Sequence, residues 1–199
     1  MDPRGATGNA GDERILRATI DALAQMDPAS LTIQRICQEA SVTPPTLYYH
    51  FGSKEGLIAA AVERLVSDWL SLLDRQVSRE GDLNQMLAQA LAGWEAMIMT
   101  PSRPLAVFVW VTLLTANSSV PARDALIRAR DRSHDMVVEA LLPHVPDAGA
   151  AAGMAWSLID GVIAAALEYQ LDEDAAAMRR RLESMATMVQ IVAGAAVAG

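Results

Sequence analysis

The sequence predicts an all-α protein, in which three short helices come first and about six longer ones follow. Apolar residues recur at the i, i+3, i+4 spacing of one helix face in segment after segment, and no segment alternates as a half-buried strand would. Prolines separate these helical segments at Pro28, Pro101, Pro104, Pro121, Pro143 and Pro146.

The bulk composition is that of a globular protein. The 199 residues are 52% hydrophobic with a net charge of −8, so any contact with nucleic acid must come from a local site and not from a basic surface. Cys37 is the single cysteine, which excludes an internal disulfide and fits a reducing compartment. The opening residues lack the apolar core of a signal peptide. The apolar run 105–116 is too short for a membrane span, and 149–167 contains Asp160 and suits a buried helix. We therefore expect a cytoplasmic protein with no membrane partner.

The first two helices follow a short tail. Residues 1–12 are rich in Gly, Ala and Asp, and we expect them to form a mobile tail. The inward face of the first helix is formed by Ile15, Ala18, Ala22, Leu23 and Met26. After Asp27-Pro28, the second helix begins with Thr32 as its N-cap. Its inward face is formed by Ile33, Ile36, Cys37 and Ala40.

The third helix lies in the stretch SVTPPTLYYHFGSK, residues 41–54. Thr43 is its predicted N-cap, and Pro44 then occupies the first helical position, where a missing N–H costs nothing. Val42 and Leu47 occupy the two positions of a hydrophobic staple. The two prolines therefore mark a helix start and not a helix break. With the two preceding helices, this helix completes a predicted domain of residues 13–53.

The 3.6-residue period gives this third helix an inward and an outward face. Leu47 and Phe51 point inward, whereas Pro45 and Tyr49 point outward. Thr46 lies on one flank beside them. A threonine methyl group and an amphipathic ring suit contacts with base edges in a DNA groove.

Three further side chains in this stretch suit phosphate oxygens: Tyr48, His50 and Lys54. Two of them have plainer alternatives, since Tyr48 can be a packing residue and His50 can cap the helix C-terminus. Lys54 begins the next helix, where a cation opposes the helix dipole. That local cost favours a phosphate contact for Lys54.

The segment 12–66 resembles the helix-turn-helix of the TetR family of bacterial transcriptional regulators. The resemblance is carried by Ile36-Cys37, by the turn Ser41-Val42-Thr43, and above all by Thr46-Leu47-Tyr48-Tyr49-His50-Phe51 with Lys54. It implies that Pro45, Thr46 and Tyr49 contact bases, and that Tyr48, His50, Lys54 and Thr32 contact the DNA backbone. The expected DNA-binding set is Thr32, Pro44, Pro45, Thr46, Tyr48, Tyr49, His50 and Lys54.

The segment departs from the family pattern at two positions and is unusually acidic. Cys37 stands where the family has a small alanine, and we interpret it as a buried apolar residue. Ser41 stands where a left-handed glycine is common, at a cost of roughly 1 kcal/mol. Residues 1–66 contain six basic side chains and eight acidic ones. The acids must therefore face away from DNA, or binding is weak at physiological salt.

Residues 54–199 are predicted to form a helical ligand-binding and dimerisation domain, with residues 54–79 as a connecting helix that Ser53 caps. Helical patterns follow over 82–100, 104–117, 121–142, 147–170 and 174–197. Aromatic and methionine side chains on these segments suit an adaptable apolar pocket. The candidates are Trp94, Met97, Phe108, Trp110, Met136, Met154 and Trp156. Each of them could equally be plain helical core.

Small residues recur every four positions at Gly153, Ser157 and Gly161. This stripe lets another helix approach closely. With the final helix, it indicates the two-helix surface through which TetR-like proteins pair as four-helix-bundle dimers. Symmetric DNA recognition requires such a dimer.

Two functions remain open from the sequence. The favoured one is a TetR-like regulator, a repressor that binds a palindromic operator as a dimer and is released by a small apolar or amphipathic ligand. The alternative is an all-helical small-molecule-binding protein or enzyme whose helix-turn-helix is only structural. The sequence contains no Gly-rich phosphate loop or nucleophile elbow, and His50, His134 and His144 lack metal-ligand spacing. We therefore expect no enzyme activity, no metal and no cofactor.

Overall fold

The computed structural model describes residues 4–25, 30–77, 81–100, 119–145 and 147–198. These residues contain helices and turns and no strand. The described helices are α1 (Arg4–Gln25), α2 (Ile33–Ala40), α3 (Pro44–Phe51), α4 (Lys54–Gln76), α5 (Leu83–Met99), α6 (Val120–Leu141), α7 (Ala148–Asp172) and α8 (Ala175–Ala198). The all-α prediction is confirmed. The helix predicted over 104–117 lies outside the described residues.

The N-caps explain why several helices begin where they do. The Thr32 hydroxyl accepts a hydrogen bond from the Arg35 N–H at 3.3 Å, as predicted. Asp82 caps α5 by accepting from Gln85 N–H at 2.8 Å, and Asp147 caps α7 by accepting from Ala150 N–H at 2.6 Å.

The helix α1 starts earlier than the sequence indicated. It begins at Arg4 and so includes most of the segment that we expected to be a tail. Two acids at the end of this segment and just after it contact other helices: Asp12 lies beside His50 on α3, and Glu13 pairs with Arg64 on α4. The local composition does not reveal these tertiary contacts.

The chain divides into two compact units. The first comprises Met1–Ser67 and Pro101–Ala129. In its core, α1 packs on α2 and α2 packs on α3. The largest fully buried side chains here are Ile15, Leu31, Ile36, Leu47, Leu57 and Val62. This core lies beneath α1, α2 and α3, and the side of α3 that points away from it is exposed to solvent.

The second unit comprises Asp68–Thr100 and Arg130–Gly199. In it α7 packs along α8, and α5 packs against both. Arg179 Nε donates to Glu95 Oε1 at 2.6 Å and so ties α8 to α5. By length and composition α7 is also apolar enough to cross a membrane, a test that core helices of soluble proteins pass as well. Leu158, Val162 and Ala166 place it in the core of this unit.

Candidate nucleic-acid interface

The turn between α2 and α3 has the backbone that the sequence predicted. Ser41 has φ 54° and ψ 48°, the left-handed conformation that glycine adopts most easily. Val42 N–H then donates to Cys37 C=O at 3.0 Å and closes the end of α2. Cys37 is buried, and this burial raises the pKa of its thiol. The low thiolate content supports its interpretation as an apolar residue.

The start of α3 differs from prediction in one detail. Thr43 occupies the N-cap position with extended backbone, and Pro44 follows it, but the Thr43 side chain makes no capping hydrogen bond. Instead the Thr43 and Thr46 hydroxyls lie 2.9 Å apart and hydrogen-bond each other. Since prolines follow at the next two positions, fewer N–H groups need a cap. The hydroxyl pair fixes Thr46 at the edge of the outer face.

The faces of α3 are oriented as the helical period predicted. Leu47 is fully buried, and Phe51 packs partly buried against the same core. Tyr49 is 86% exposed and Tyr48 is 46% exposed. The outer face of α3, defined as Pro44, Pro45, Thr46, Tyr48 and Tyr49, is exposed throughout. A tyrosine this exposed contributes little to the core.

His50 does not cap the C-terminus of α3, which was one of its two expected roles. Gly52, with φ 72°, takes that position, and its N–H donates to Tyr48 C=O at 2.9 Å. The His50 Nδ1 lies 2.8 Å from Asp12 Oδ1, off the line of a hydrogen bond, so the contact is an ion pair when the imidazole is protonated. Its ring also meets the Tyr49 ring edge-on at 5.1 Å. Sequence reasoning missed Asp12, because no local signal links it to α3.

The connection from α3 to α4 is equally tight. The Ser53 hydroxyl accepts from Gly56 N–H at 3.0 Å, which confirms the predicted cap of α4. A Cβ at Gly56 would overlap the Phe51 carbonyl oxygen, so only glycine allows this close approach. Lys54, the first residue of α4, is partly buried beside this junction. The cation therefore lies at the end of the exposed α3 face.

Several acids of the first unit are paired with its own basic side chains. Glu39 contacts Arg35 at 2.8 Å on α2, and Glu63 on α4 accepts from Arg128 Nε at 2.9 Å. Glu13 accepts from Arg64. These pairings show where part of the acidic excess of this segment is neutralised without involving the outer face of α3.

Comparison with known proteins shows which family the segment containing α2 and α3 resembles. Residues 15–61 match the family described as bacterial regulatory proteins, tetR family. The match identifies this N-terminal segment as similar to that family. A curated relative, the HTH-type transcriptional regulator BetI of Stenotrophomonas maltophilia, is 27% identical over 158 residues, which cover 75% of this chain and 78% of that protein.

Solved structures of transcriptional regulators share this fold. A TetR-family transcriptional regulator from Rhodococcus sp. superposes with a TM-score of 0.79 at 18% identity, covering 91% of this chain and 98% of that one. Another from Cytophaga hutchinsonii superposes with a TM-score of 0.78 at 17% identity, covering 92% and 95%. These likenesses support the fold. The relatives are described as transcriptional regulators, which favours the regulatory function over the catalytic alternative.

The second unit of the chain contains a cavity of about 50 Å³. Its lining is apolar except for Asp74, and comes from α4, α5, α6 and α7. The lining residues are Leu73, Asp74, Val77, Met86, Leu87, Ala90, Trp94, Met136, Val137, Ala140, Leu141 and Leu158. Of the predicted pocket residues, Trp94 and Met136 are among them.

The other predicted pocket residues lie elsewhere. Met97 is buried, but it lies beyond Trp94, the last α5 residue that lines the cavity. Met154 does not line the cavity either. Trp156 stacks on His134 at 4.2 Å, with the Arg130 guanidinium 5.3 Å from its ring, so it packs α7 on α6 instead of facing the cavity. Phe108 and Trp110 lie outside the described residues. Within the described residues no group of His, Cys, Asp and Glu is arranged to hold a metal.

The small-residue stripe on α7 divides between two environments. Gly153 and Ser157 are exposed, and a Cβ at Gly153 would meet nothing within 4 Å. Gly161 instead faces Met185 on α8 of the same chain, so its small size serves packing within the chain. Sequence reasoning missed five exposed apolar side chains on α7 and α8: Leu167, Leu171, Met188, Ile191 and Val192. We call these five, with Gly153 and Ser157, the α7/α8 outer face.

Proposed function

We propose that this protein is a TetR-family repressor that binds a palindromic operator as a dimer and leaves it when a small apolar or amphipathic ligand binds. The observation that carries the proposal is the outer face of α3, where a tyrosine 86% exposed stands beside Thr46 and Pro45. A DNA-binding protein of this kind acts where the chromosome is, which places it in the bacterial cytoplasm.

In the proposed complex α3 lies in the major groove. Pro45, Thr46 and Tyr49 contact base edges, where the threonine methyl group and the tyrosine ring suit thymine methyls. Tyr48, His50 and Lys54 contact phosphates, as do Thr32 and Pro44 at the edges of the site. The net charge of −8 opposes this binding, so the contacts must come from the local set of side chains on and beside α3.

A palindromic operator requires two copies of α3 related by a two-fold axis. The α7/α8 outer face is the proposed pairing surface, because it is apolar and large side chains on it are exposed: Leu171 is 87% exposed and Ile191 is 66% exposed. Gly153 and Ser157 on the same face allow a partner helix to approach closely. Burial of these side chains against a second copy would give the dimer its stability.

The ligand proposal rests on the cavity in the second unit. At about 50 Å³ it is too small for an effector, since pockets for small molecules span roughly 300–1,000 Å³. The cavity must therefore widen, and Met86 and Met136 in its wall are unbranched side chains that adapt readily. A ligand that binds only the widened state shifts the protein toward that state.

Coupling between ligand and operator is assigned to α4. This single helix begins at Lys54 and includes Leu73 and Asp74, which line the cavity. A tenfold loss of operator affinity requires about 1.4 kcal/mol of coupling, which lies within the usual allosteric range. A small displacement of α4 in the widened state would move Lys54 relative to the DNA backbone.

A gel-shift titration with the DNA upstream of the protein's own gene tests the proposal. The wild-type protein should retard this duplex at concentrations that leave an unrelated duplex free. Thr46→Ala should reduce that discrimination, whereas Thr187→Ala, an exposed threonine on α8, should leave it intact. Equal retardation of both duplexes by the wild type would contradict the proposal.

A further inference from the structure

The imidazole of His50 lies between two side chains of different character. On one side, its Nδ1 lies 2.8 Å from Oδ1 of Asp12. On the other, its ring stands edge-on to the ring of Tyr49, with centroids 5.1 Å apart and planes at 89°. An acid on α1 therefore fixes the ring that supports the exposed tyrosine of α3.

The Asp12 contact is a direct connection from α1 to α3. Otherwise α1 packs chiefly on α2, and α2 packs on α3. Oδ1 of Asp12 is buried and accepts no hydrogen bond within the described part of the chain. Water therefore does not compete for this oxygen, and the carboxylate holds the orientation of the imidazole more firmly than an exposed acid would.

We propose that Asp12 is a positioning residue for DNA recognition and that it acts through His50. This inference rests on the proposed function. With Nδ1 2.8 Å from Asp12 Oδ1, the Nε2 edge of the ring lies on the side away from that carboxylate, where it can meet a phosphate oxygen. The same ring orientation limits the positions that Tyr49 can adopt. Asp12 thereby influences a phosphate contact and a base contact without touching DNA.

Simple electrostatics predicts the opposite effect. Removing a carboxylate from a protein that binds DNA lowers the repulsion between protein and phosphates and tightens binding. If Asp12 positions His50, its neutralisation weakens binding instead. The sign of the change in affinity therefore separates the two accounts.

The experiment uses a duplex that the wild-type protein selects from a pool of random-sequence DNA. Asp12→Asn should weaken binding to this duplex by about three- to tenfold and relax preference at the base pair that Tyr49→Ala relaxes. In a His50→Phe background, Asp12→Asn should have no further effect, because the two residues act as one unit. The control is Asp21→Asn, the same change at an exposed acid of α1, which should leave affinity unchanged or slightly tighter.

Three outcomes overturn the inference. One is an Asp12→Asn protein that binds as tightly as the wild type or more tightly. Another is a full additional loss from Asp12→Asn in the His50→Phe background. The last is an equal loss on all sequences together with a lower free energy of unfolding, because a smaller folded fraction alone would then account for the loss. If the wild type selects no sequence at all, the proposed function is contradicted, and so is this inference, which rests on it. If the wild type selects a sequence and Asp12→Asn binds that sequence equally well, only the inference about Asp12 is overturned.

Discussion

Gly161 on α7 lies directly against Met185 on α8: a Cβ at Gly161 would stand 2.6 Å from both Sδ and Cε of that methionine. The glycine thus lets two helices of one chain approach closely. A larger side chain at this position disturbs the packing of its own chain before it affects any partner. Loss of dimer by Gly161→Glu would therefore not locate the pairing surface.

Gly161→Leu should lower the free energy of unfolding by about 1–3 kcal/mol, because the buried Met185 has to move from its place in the core. Urea denaturation measures the change. Met185→Ala alone should cost about 2–5 kcal/mol by leaving a cavity. Combined with Gly161→Leu, it should cost clearly less than the sum of the two. Strictly additive losses would show that the two side chains do not meet.

The assembly prediction concerns the α7/α8 outer face. Ile191→Glu and Leu171→Glu should each give monomers in sedimentation velocity, because a charge would have to be buried without a partner between the paired helices. Neither change should unfold the chain, since both side chains are largely exposed within it.

Leu142→Glu is the control for assembly. Leu142 is also exposed, but it follows the end of α6 and is not one of the residues that define the α7/α8 outer face. This variant should sediment as a dimer. Persistent dimers of both Ile191→Glu and Leu171→Glu would place the pairing surface elsewhere on the protein.

The start of α8 should be sensitive to acid. The Asp174 carboxylate accepts from the N–H groups of Ala177 and Ala176, both at 2.9 Å, and the Ala177 bond contributes most to holding the Asp174 pKa below its ordinary value of 3.8. Because the folded pKa is the lower one, the carboxylate stabilises the fold above the ordinary value. This contribution is lost as pH falls through the folded pKa.

Asp174→Asn tests this prediction, because asparagine can cap the helix without titrating. The variant should lose less thermal stability than the wild type when the pH falls from neutral to about 3. Asp174→Ala should be less stable than both at neutral pH, since it lacks the cap. Parallel stability curves for wild type and Asp174→Asn over the acid range would rule out the role of the carboxylate charge.

Ligand binding should be visible through Trp94. It lines the cavity, whereas Trp156 stacks on His134 outside it. An apolar compound that enters the cavity should therefore change the fluorescence of a Trp156→Phe protein and leave that of a Trp94→Phe protein nearly unchanged. The opposite pattern would exclude this cavity as the ligand site. If the compound quenched the fluorescence without lowering operator affinity, the cavity would stand as the ligand site, but the proposed release mechanism would be contradicted.

Lys54 should contribute to operator binding without selecting a sequence. Lys54→Ala should weaken binding to all duplexes alike and reduce the slope of log affinity against log salt by about 1, the effect of losing one phosphate contact. Titrations at several salt concentrations measure that slope. An unchanged slope would remove Lys54 from the phosphate contacts.

Local features of this protein could be predicted from sequence because local rules govern them. The inward Leu47 and outward Tyr49 follow from the helical period. The left-handed Ser41 and the caps at Thr32 and Ser53 follow from turn and cap chemistry. These features depend on residues a few positions apart, where the spacing in the sequence fixes the spacing in space.

Tertiary partners could not be predicted in the same way. The pattern at Gly161 indicated that a helix approaches closely, but it could not show that the helix is α8 of the same chain. The aromatic side chain of Trp156 suggested that it lines a pocket, but its ring stacks on that of His134. Asp12 carried no signal at all, since its partner lies on another helix and far along the chain.

The central claim is that α3 recognises DNA through its outer face, and Tyr49 tests it most directly. The measurement is selection of bound sequences from random duplex DNA by the wild type and by Tyr49→Ala. We expect the wild type to select a palindrome whose half-sites are about one helical turn apart or somewhat more. Tyr49→Ala should lose about 1–3 kcal/mol of preference at one position in each half-site. If both proteins selected the same site with the same preference at every position, α3 would not be the recognition helix.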